Sequence, residues 1–250
     1  MSSFAPETLL HIGSFPITNT VVHTFLVDAI LVGTALYIAK NTTLIPKFFQ
    51  TAVETVIEGM YNLTESIAPV KKQAAAIFPY VMTFFLFILV ANITSLLPGF
   101  GSIGFFEDIE GKKELIPLLR GATSDLNTTL ALALISVFAT HMLSIRITGI
   151  KDYLSRWFSL NPIYLYVGIL ELIAELTKIV SLSFRLFGNI YAGEVALGTV
   201  SNIFAFILPL PFLFLENIVA LVQALVFSIL TLVFMSLLTT PHHAVEGEHH

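Results

Sequence analysis

Residues 163–208 form an apolar stretch of about 45 residues with no strong turn signal, and Arg185 sits near its middle. At about 1.5 Å per residue a helix of that length measures roughly 67 Å, about twice the thickness of bilayer hydrocarbon. The stretch must either break near Gly188-Asn189 into two upright helices or lie strongly tilted. A charged guanidinium at membrane depth is costly, and such groups usually mark an ion pathway, a relay or a counter-ion. Lysine could escape by losing its proton; arginine cannot. Something must need that charge there.

Composition sets the environment. Of 250 residues, 56% are apolar and 12% charged, against about 25% charged in a soluble domain. This is the composition of an integral membrane protein. The net charge of −5 says little about partners, and no basic stripe offers a nucleic-acid surface. The absence of cysteine excludes disulfides and thiolate metal sites. Residues 1–20 contain no Lys or Arg and resemble neither a secretory signal nor an Arg-rich transit peptide. The first apolar span is therefore expected to act as the insertion signal.

The chain reads as one all-α polytopic membrane domain. Residues 1–20 form an outer amino-terminal segment, and 21–39, 78–97 and 126–145 each match the roughly 20 residues that cross hydrocarbon. His23, near the edge of the first span, is expected at the interface. In 48–67 the residues Phe48, Phe49, Ala52, Val53, Val56, Ile57, Met60 and Ile67 share one helical stripe, with Glu54, Glu58 and Glu65 opposite. That pattern predicts an amphipathic helix lying in the interface and resting partly on protein. Gly99–Ala122 reads as a polar loop, and Trp157, beside Tyr153 and Arg156, as an interfacial anchor. Pro209 and Pro211 separate 163–208 from the last apolar segment, 212–238. In the tail, 239–250, paired histidines flank Glu246 and Glu248; a polar tail is the simpler reading than a metal site.

Lys and Arg placement gives an orientation. Lys40, Lys47, Lys71, Lys72, Arg146, Lys151 and Arg156 follow the first and third spans, against Lys112, Lys113 and Arg120 after the second. This bias puts the amino terminus outside. With 163–208 counted as one crossing, there are about five membrane helices and the tail is cytoplasmic.

A helical wheel turns by about 100° per residue. With Arg185 at zero, Glu171 and Asn189 fall at about +40°, Glu175 at about +80°, Lys178 at about +20° and Ser181 at about −40°. Glu194 falls on the opposite side of the wheel. Two polar faces on one apolar helix suit a segment that separates two aqueous cavities. Glu216 and Gln223, seven apart, share a face of the last helix. If Pro209–Pro211 is a tight hairpin, Glu194 and Gln223 lie at comparable depth, and Glu216 lies nearer the turn. The bland alternatives are concrete. Glu171, Glu175 and Lys178 are spaced to neutralise one another, Gly188, Gly193 and Gly198 to let helices approach, and Arg185 to hold a bundle through an Arg–Glu pair.

The segment Phe184-Arg185-Leu186-Phe187-Gly188-Asn189, followed by Ala192-Gly193-Glu194, resembles the signature of subunit a of the rotary F-type ATP synthases. Pro16–Thr20, Phe78–Gly99, Ala122–Leu130 and Gln223-Ala224 are similar to the same family's other blocks, in order along nearly the whole chain. The resemblance implies a non-catalytic, proton-translocating stator subunit in the membrane sector. Its partners would be a ring of c subunits, the b-subunit peripheral stalk, the remaining ATP synthase subunits and the lipid bilayer. It implies no cofactor, metal, nucleic acid or bound nucleotide, and no Walker loop is present. It also implies that the last two helices form a long, strongly tilted hairpin along the ring.

Carried over residue by residue, Arg185 matches the arginine facing the ring. Asn189, Glu194 and Gln223 match polar residues lining the ion path; Lys178 and Ser181 match positions near the arginine. Asp125 and Asn127 match polar residues of the outer access channel. Family members commonly pair an acid with a histidine at the positions of Glu194 and Glu216. Here both are glutamate, and two neighbouring carboxylates are expected to share a proton or a bridging water. One half-channel would run through Asp125, Asn127, Glu194 and Glu216, and a second would lie nearer Glu171 and Glu175. The implied localisation is a bacterial plasma membrane, with an organelle inner membrane as the alternative. A secondary transporter would instead require inverted repeats and broken helices around a substrate pocket, and the sequence has neither. A structural membrane subunit would leave Arg185, Asn189, Glu194 and Gln223 without a purpose.

Overall fold

Apolar segments that enter lipid must satisfy every backbone N–H and C=O internally, which leaves helix as the only solution for an isolated span. In the computed structural model, the described residues are 6–12, 15–97, 99–100, 103–109, 112–157, 162–203 and 209–240. Each long apolar run is built on a helix. These helices are α1 (Asn19–Asn41), α3 (Lys71–Ser95), α4 (Leu126–Thr148), α6 (Pro162–Ile203) and α7 (Pro209–Thr239), with α2 (Phe48–Ile67) and α5 (Ile150–Trp157) shorter and amphipathic. Among the described residues, α1, α3, α4 and α7 are long and apolar enough to cross a membrane. The 42-residue α6 runs unbroken through Gly188-Asn189.

Two antiparallel hairpins accompany the helices: β1 (Thr8–Ile12) with β2 (Phe15–Thr18), and β3 (Gly104–Ile109) with β4 (Lys112–Pro117). The second lies within Gly99–Ala122, the segment read as a polar loop, and gives it strands that the reading did not foresee. Its strands pair in register from Gly104 opposite Pro117 to Ile109 opposite Lys112. Helix boundaries also move outward from the apolar cores. Thus α3 starts at Lys71, with Pro79 inside it, and α7 takes Pro209 and Pro211 into its first turn, where a missing N–H costs little.

The chain forms two units. The first comprises residues 1–41, 86–129 and 184–225; the second comprises 42–85, 130–183 and 226–250. In the first, Val27, Ile88, Ala91, Leu186, Ile190, Ala220 and Ala224 make a buried core of small and branched side chains. The core of the second is built on Ile77, Val81, Phe84, Phe227, Leu232 and Met235. There α3 and α7 run antiparallel, with Gln73 Nε2 donating to the Thr239 carbonyl at 3.2 Å and the Phe84 and Phe227 rings 5.6 Å apart. By contrast α4 and α7 run parallel: Ser136 meets Thr231 at 2.9 Å, and Ser144 donates to the Leu238 carbonyl at 2.6 Å.

The amphipathic α2 rests on protein through its second half. Met60 is buried, the Tyr61 ring meets Phe78 edge-on, and Ser236 donates to the Ile67 carbonyl at 3.2 Å. Its first half leaves Phe48 92% and Phe49 50% exposed. The turn from α4 into α5 uses Gly149 at φ 88°, a left-handed position that a side chain would strain. Its N–H closes α4 on the Ile145 carbonyl, and its own carbonyl receives Tyr153 N–H to start α5.

Candidate ion path

In the first unit α6 and α7 lie side by side and antiparallel. Asn189 Nδ2 donates to Gln223 Oε1 at 2.7 Å, and one turn further on Gly193 faces Glu216. A Cβ on Gly193 would collide with the whole Glu216 carboxylate, so glycine makes the room that this acid occupies. Gln223 therefore lies at the level of Asn189 and Glu216 at the level of Glu194, a register slightly different from the one read off the turn. Gln223 is buried, and its Nε2 has no hydrogen-bond partner among the described residues. Arg185 and Asn189 are on the exposed side of α6, flanked by Phe184 (55% exposed) and Gly188.

Glu194 and Glu216 are close enough for their charges to act on one another. Glu194 also lies near the Arg120 guanidinium and within hydrogen-bond reach of the Ser124 hydroxyl. Its Oε1 would stand 3.1 Å from a Cβ on Gly121, so backbone as well as side chains wall it in. Glu216 is buried, and its Oε1 has no partner among the described residues.

Around these acids the loop before α4 builds a dense polar network. Asp125 Oδ1 accepts the Asn127 N–H at 3.0 Å and so caps α4, while Oδ2 accepts from Thr20 at 3.1 Å. Asn127 itself is exposed. Thr123 donates to Asn92 Oδ1 at 2.6 Å. Sequence reasoning missed His23, which is fully buried instead of interfacial. Its Nδ1 accepts the Ala122 N–H at 2.9 Å and its Nε2 meets Thr94 Oγ1 at 2.8 Å. Hydropathy cannot reveal this, because both partners lie far along the chain.

In the second unit α6 carries another polar group. Lys178 Nζ stands 2.6 Å from Glu175 Oε1 and 4.4 Å from the Phe234 ring centroid, so both charge and ring face hold it. The ion-pair reading of Glu175 and Lys178 is thus realised, with a member that the sequence did not supply. His141 Nε2 of α4 lies 3.7 Å from Glu175 Oε2, and its Nδ1 meets the Tyr153 hydroxyl at 3.0 Å. Glu171 is half-buried and near enough to His141 for its charge to act on the ring. Ser181 is exposed. Trp157, read as an interfacial anchor, is buried against His141 and Tyr153.

The match to known proteins is decisive at this point: the family model of the ATP synthase A chain covers residues 21–236. The chain belongs to the ATP synthase A chain family. ATP synthase subunit a 2 of Pelobacter propionicus is 34% identical over 230 residues, covering 92% of this chain and 90% of its own. ATP synthase subunit a of Moorella thermoacetica is 29% identical over 236 residues, 94% of this chain and 97% of its own. That of Legionella pneumophila strain Philadelphia 1 is 30% identical over 234 residues, 93% and 91%. As an ATP synthase A chain, the protein is a polytopic helical membrane subunit that works with the other ATP synthase subunits.

Proposed function

We propose that the chain is the proton-translocating stator subunit of the membrane sector, with Arg185 facing a ring of c subunits. The observation that carries this reading is the placement of Arg185 and Asn189 on the exposed side of α6, with Asn189 tied to Gln223. Phe184 on α6 and Ile218, Leu221 and Val222 on α7 are large, apolar and 43–55% exposed in the same unit. A surface of that kind needs an apolar partner.

A ring carboxyl facing lipid stays neutral, since its ionised form is costly there. Facing Arg185 it ionises, because a neighbouring cation favours the charged form. Rotation thus becomes coupled to proton exchange. Glu194, Glu216, Asp125 and Asn127, with Ser124 and His23, supply the access path from outside. Glu171, Glu175 and Lys178 supply the release path, and Ser181 lies on the arginine's stripe. Arg185 separates the two by its fixed charge. Each proton crossing 100 mV delivers about 2.3 kcal/mol.

The parallel course of α4 and α7 supports an odd number of crossings between them, which makes α6 a crossing and brings the membrane helices to five. A 42-residue helix measures about 63 Å, so it crosses tilted. In this reading the amino terminus is outside, α2 and α5 lie on the cytoplasmic side, and the b-subunit stalk binds elsewhere on the chain. The membrane is a bacterial plasma membrane. In inverted membrane vesicles, Arg185→Lys should abolish ATP synthesis and ATP-driven proton pumping while the complex still assembles. Wild-type pumping by that variant would end the proposal.

A further inference from the structure

We propose that His141 is a proton-transfer residue of the release path. It takes a proton at Nε2 from the Glu175 carboxyl and lets one leave from its Nδ1 side through the Tyr153 hydroxyl. This rests on the reading of the chain as an ion-conducting subunit. The residues come from three helices of one unit: His141 from α4, Tyr153 from α5, Glu175 and Lys178 from α6.

The geometry assigns each atom a role. Lys178 occupies Glu175 Oε1 at 2.6 Å, which leaves Oε2 as the oxygen that addresses His141. The 3.7 Å between Oε2 and Nε2 exceeds a hydrogen bond, so transfer needs one bridging water or a closure of about 0.7 Å. On the other side Nδ1 is already in hydrogen-bond contact with Tyr153. Imidazole can hold its proton on either nitrogen. With Nδ1 protonated, the ring accepts at Nε2 from Glu175 and donates from Nδ1 to the tyrosine oxygen, which releases its own hydrogen onward. One proton arrives, one departs, and the ring is left in its other tautomer. Passage of the ring proton from Nε2 back to Nδ1 through water, with rotation of the tyrosine hydroxyl, restores the start.

The destination is a cavity of about 280 Å³ lined by His141, Tyr153, Trp157, Gly168 and Glu175 among others. A Cβ on Gly168 would run into the Trp157 carbonyl, so α5 sits hard against α6 with its aromatic rings bordering the space. The titratable groups facing His141 are Tyr153 from α5 and Glu171, Glu175 and Lys178 from α6. Two acids beside one lysine keep a transient imidazolium compensated.

The test uses the whole ATP synthase reconstituted in liposomes, with synthesis driven by an imposed proton gradient. His141→Ala should cut the initial rate roughly tenfold or more, with the complex assembled normally. Millimolar imidazole should restore it several-fold, a rescue that a merely structural histidine would not show. Tyr153→Phe should lose a few-fold without imidazole rescue. If His141→Ala fails to assemble, His141→Gln is measured in its place and is expected to be as slow. A wild-type rate in the His141 variant, or a slow assembled variant indifferent to imidazole, overturns the relay. Arg185→Lys runs alongside. Its inactivity beside a normal His141→Ala rejects the relay alone, whereas its wild-type activity rejects the ion-conducting reading itself.

Discussion

Gly193→Ala tests the pairing of α6 and α7 at the acid pair. The new methyl group would occupy the position of the Glu216 carboxylate. Overpacking of this kind costs about 1–3 kcal/mol, or roughly 5- to 150-fold in an equilibrium at about 1.4 kcal/mol per decade. Glu216 Oε1 has no hydrogen-bond partner among the described residues, so the side chain yields readily and the cost falls toward about 1 kcal/mol. Yielding moves it away from Glu194, so proton uptake slows even where assembly survives. Glu216→Ala removes the obstacle, and the double variant should recover most of the stability lost by Gly193→Ala. The two substitutions should therefore couple by about 1 kcal/mol, within the range for contacting residues. The assay is the apparent thermal dissociation of the complex for both singles and the double, with passive proton flux measured in parallel. Costs that simply add, within about 0.5 kcal/mol, would refute the collision.

Glu194→Gln should slow proton uptake from the outer side while leaving the complex intact; unchanged passive flux and ATP synthesis would count against its role. Asp125→Asn keeps an acceptor for the Asn127 N–H and should leave thermal stability nearly unchanged, whereas Asp125→Ala loses the cap and about 1 kcal/mol. If Asp125→Asn also synthesises ATP at the wild-type rate, the residue serves as a cap and not as part of the path.

The helical membrane architecture was legible because it rests on run length. Twenty apolar residues without a charge have one solution in lipid, and 48–67 showed its stripe directly. The i,i+3 pairing of Glu175 with Lys178 was legible from spacing along one helix. The β3–β4 hairpin was not, because its strands lack a clear alternation and only Gly111 hints at a turn. His23 and His141 were hidden for another reason. Each sits singly in an apolar helix, and its role is set by partners on other elements: Thr94 and Ala122 for one, Tyr153 and Glu175 for the other. Spacing along a chain does not encode such meetings. The contacts of Trp157 with His141 and Tyr153 were hidden as well, because they are set by packing and not by spacing.

Ser124 has a single hydrogen to give, and it lies where two oxygens can claim it. Directed to the Gly121 carbonyl, as in the 2.9 Å contact, the hydroxyl can only receive from Glu194, which suits a neutral acid. Turned toward Glu194, it suits the ionised one. In the proposed path, loading and unloading that carboxyl would call on a rotation about one C–O bond. Such a device keeps pace with any rotor, because a hydroxyl reorients far faster than a helix can move.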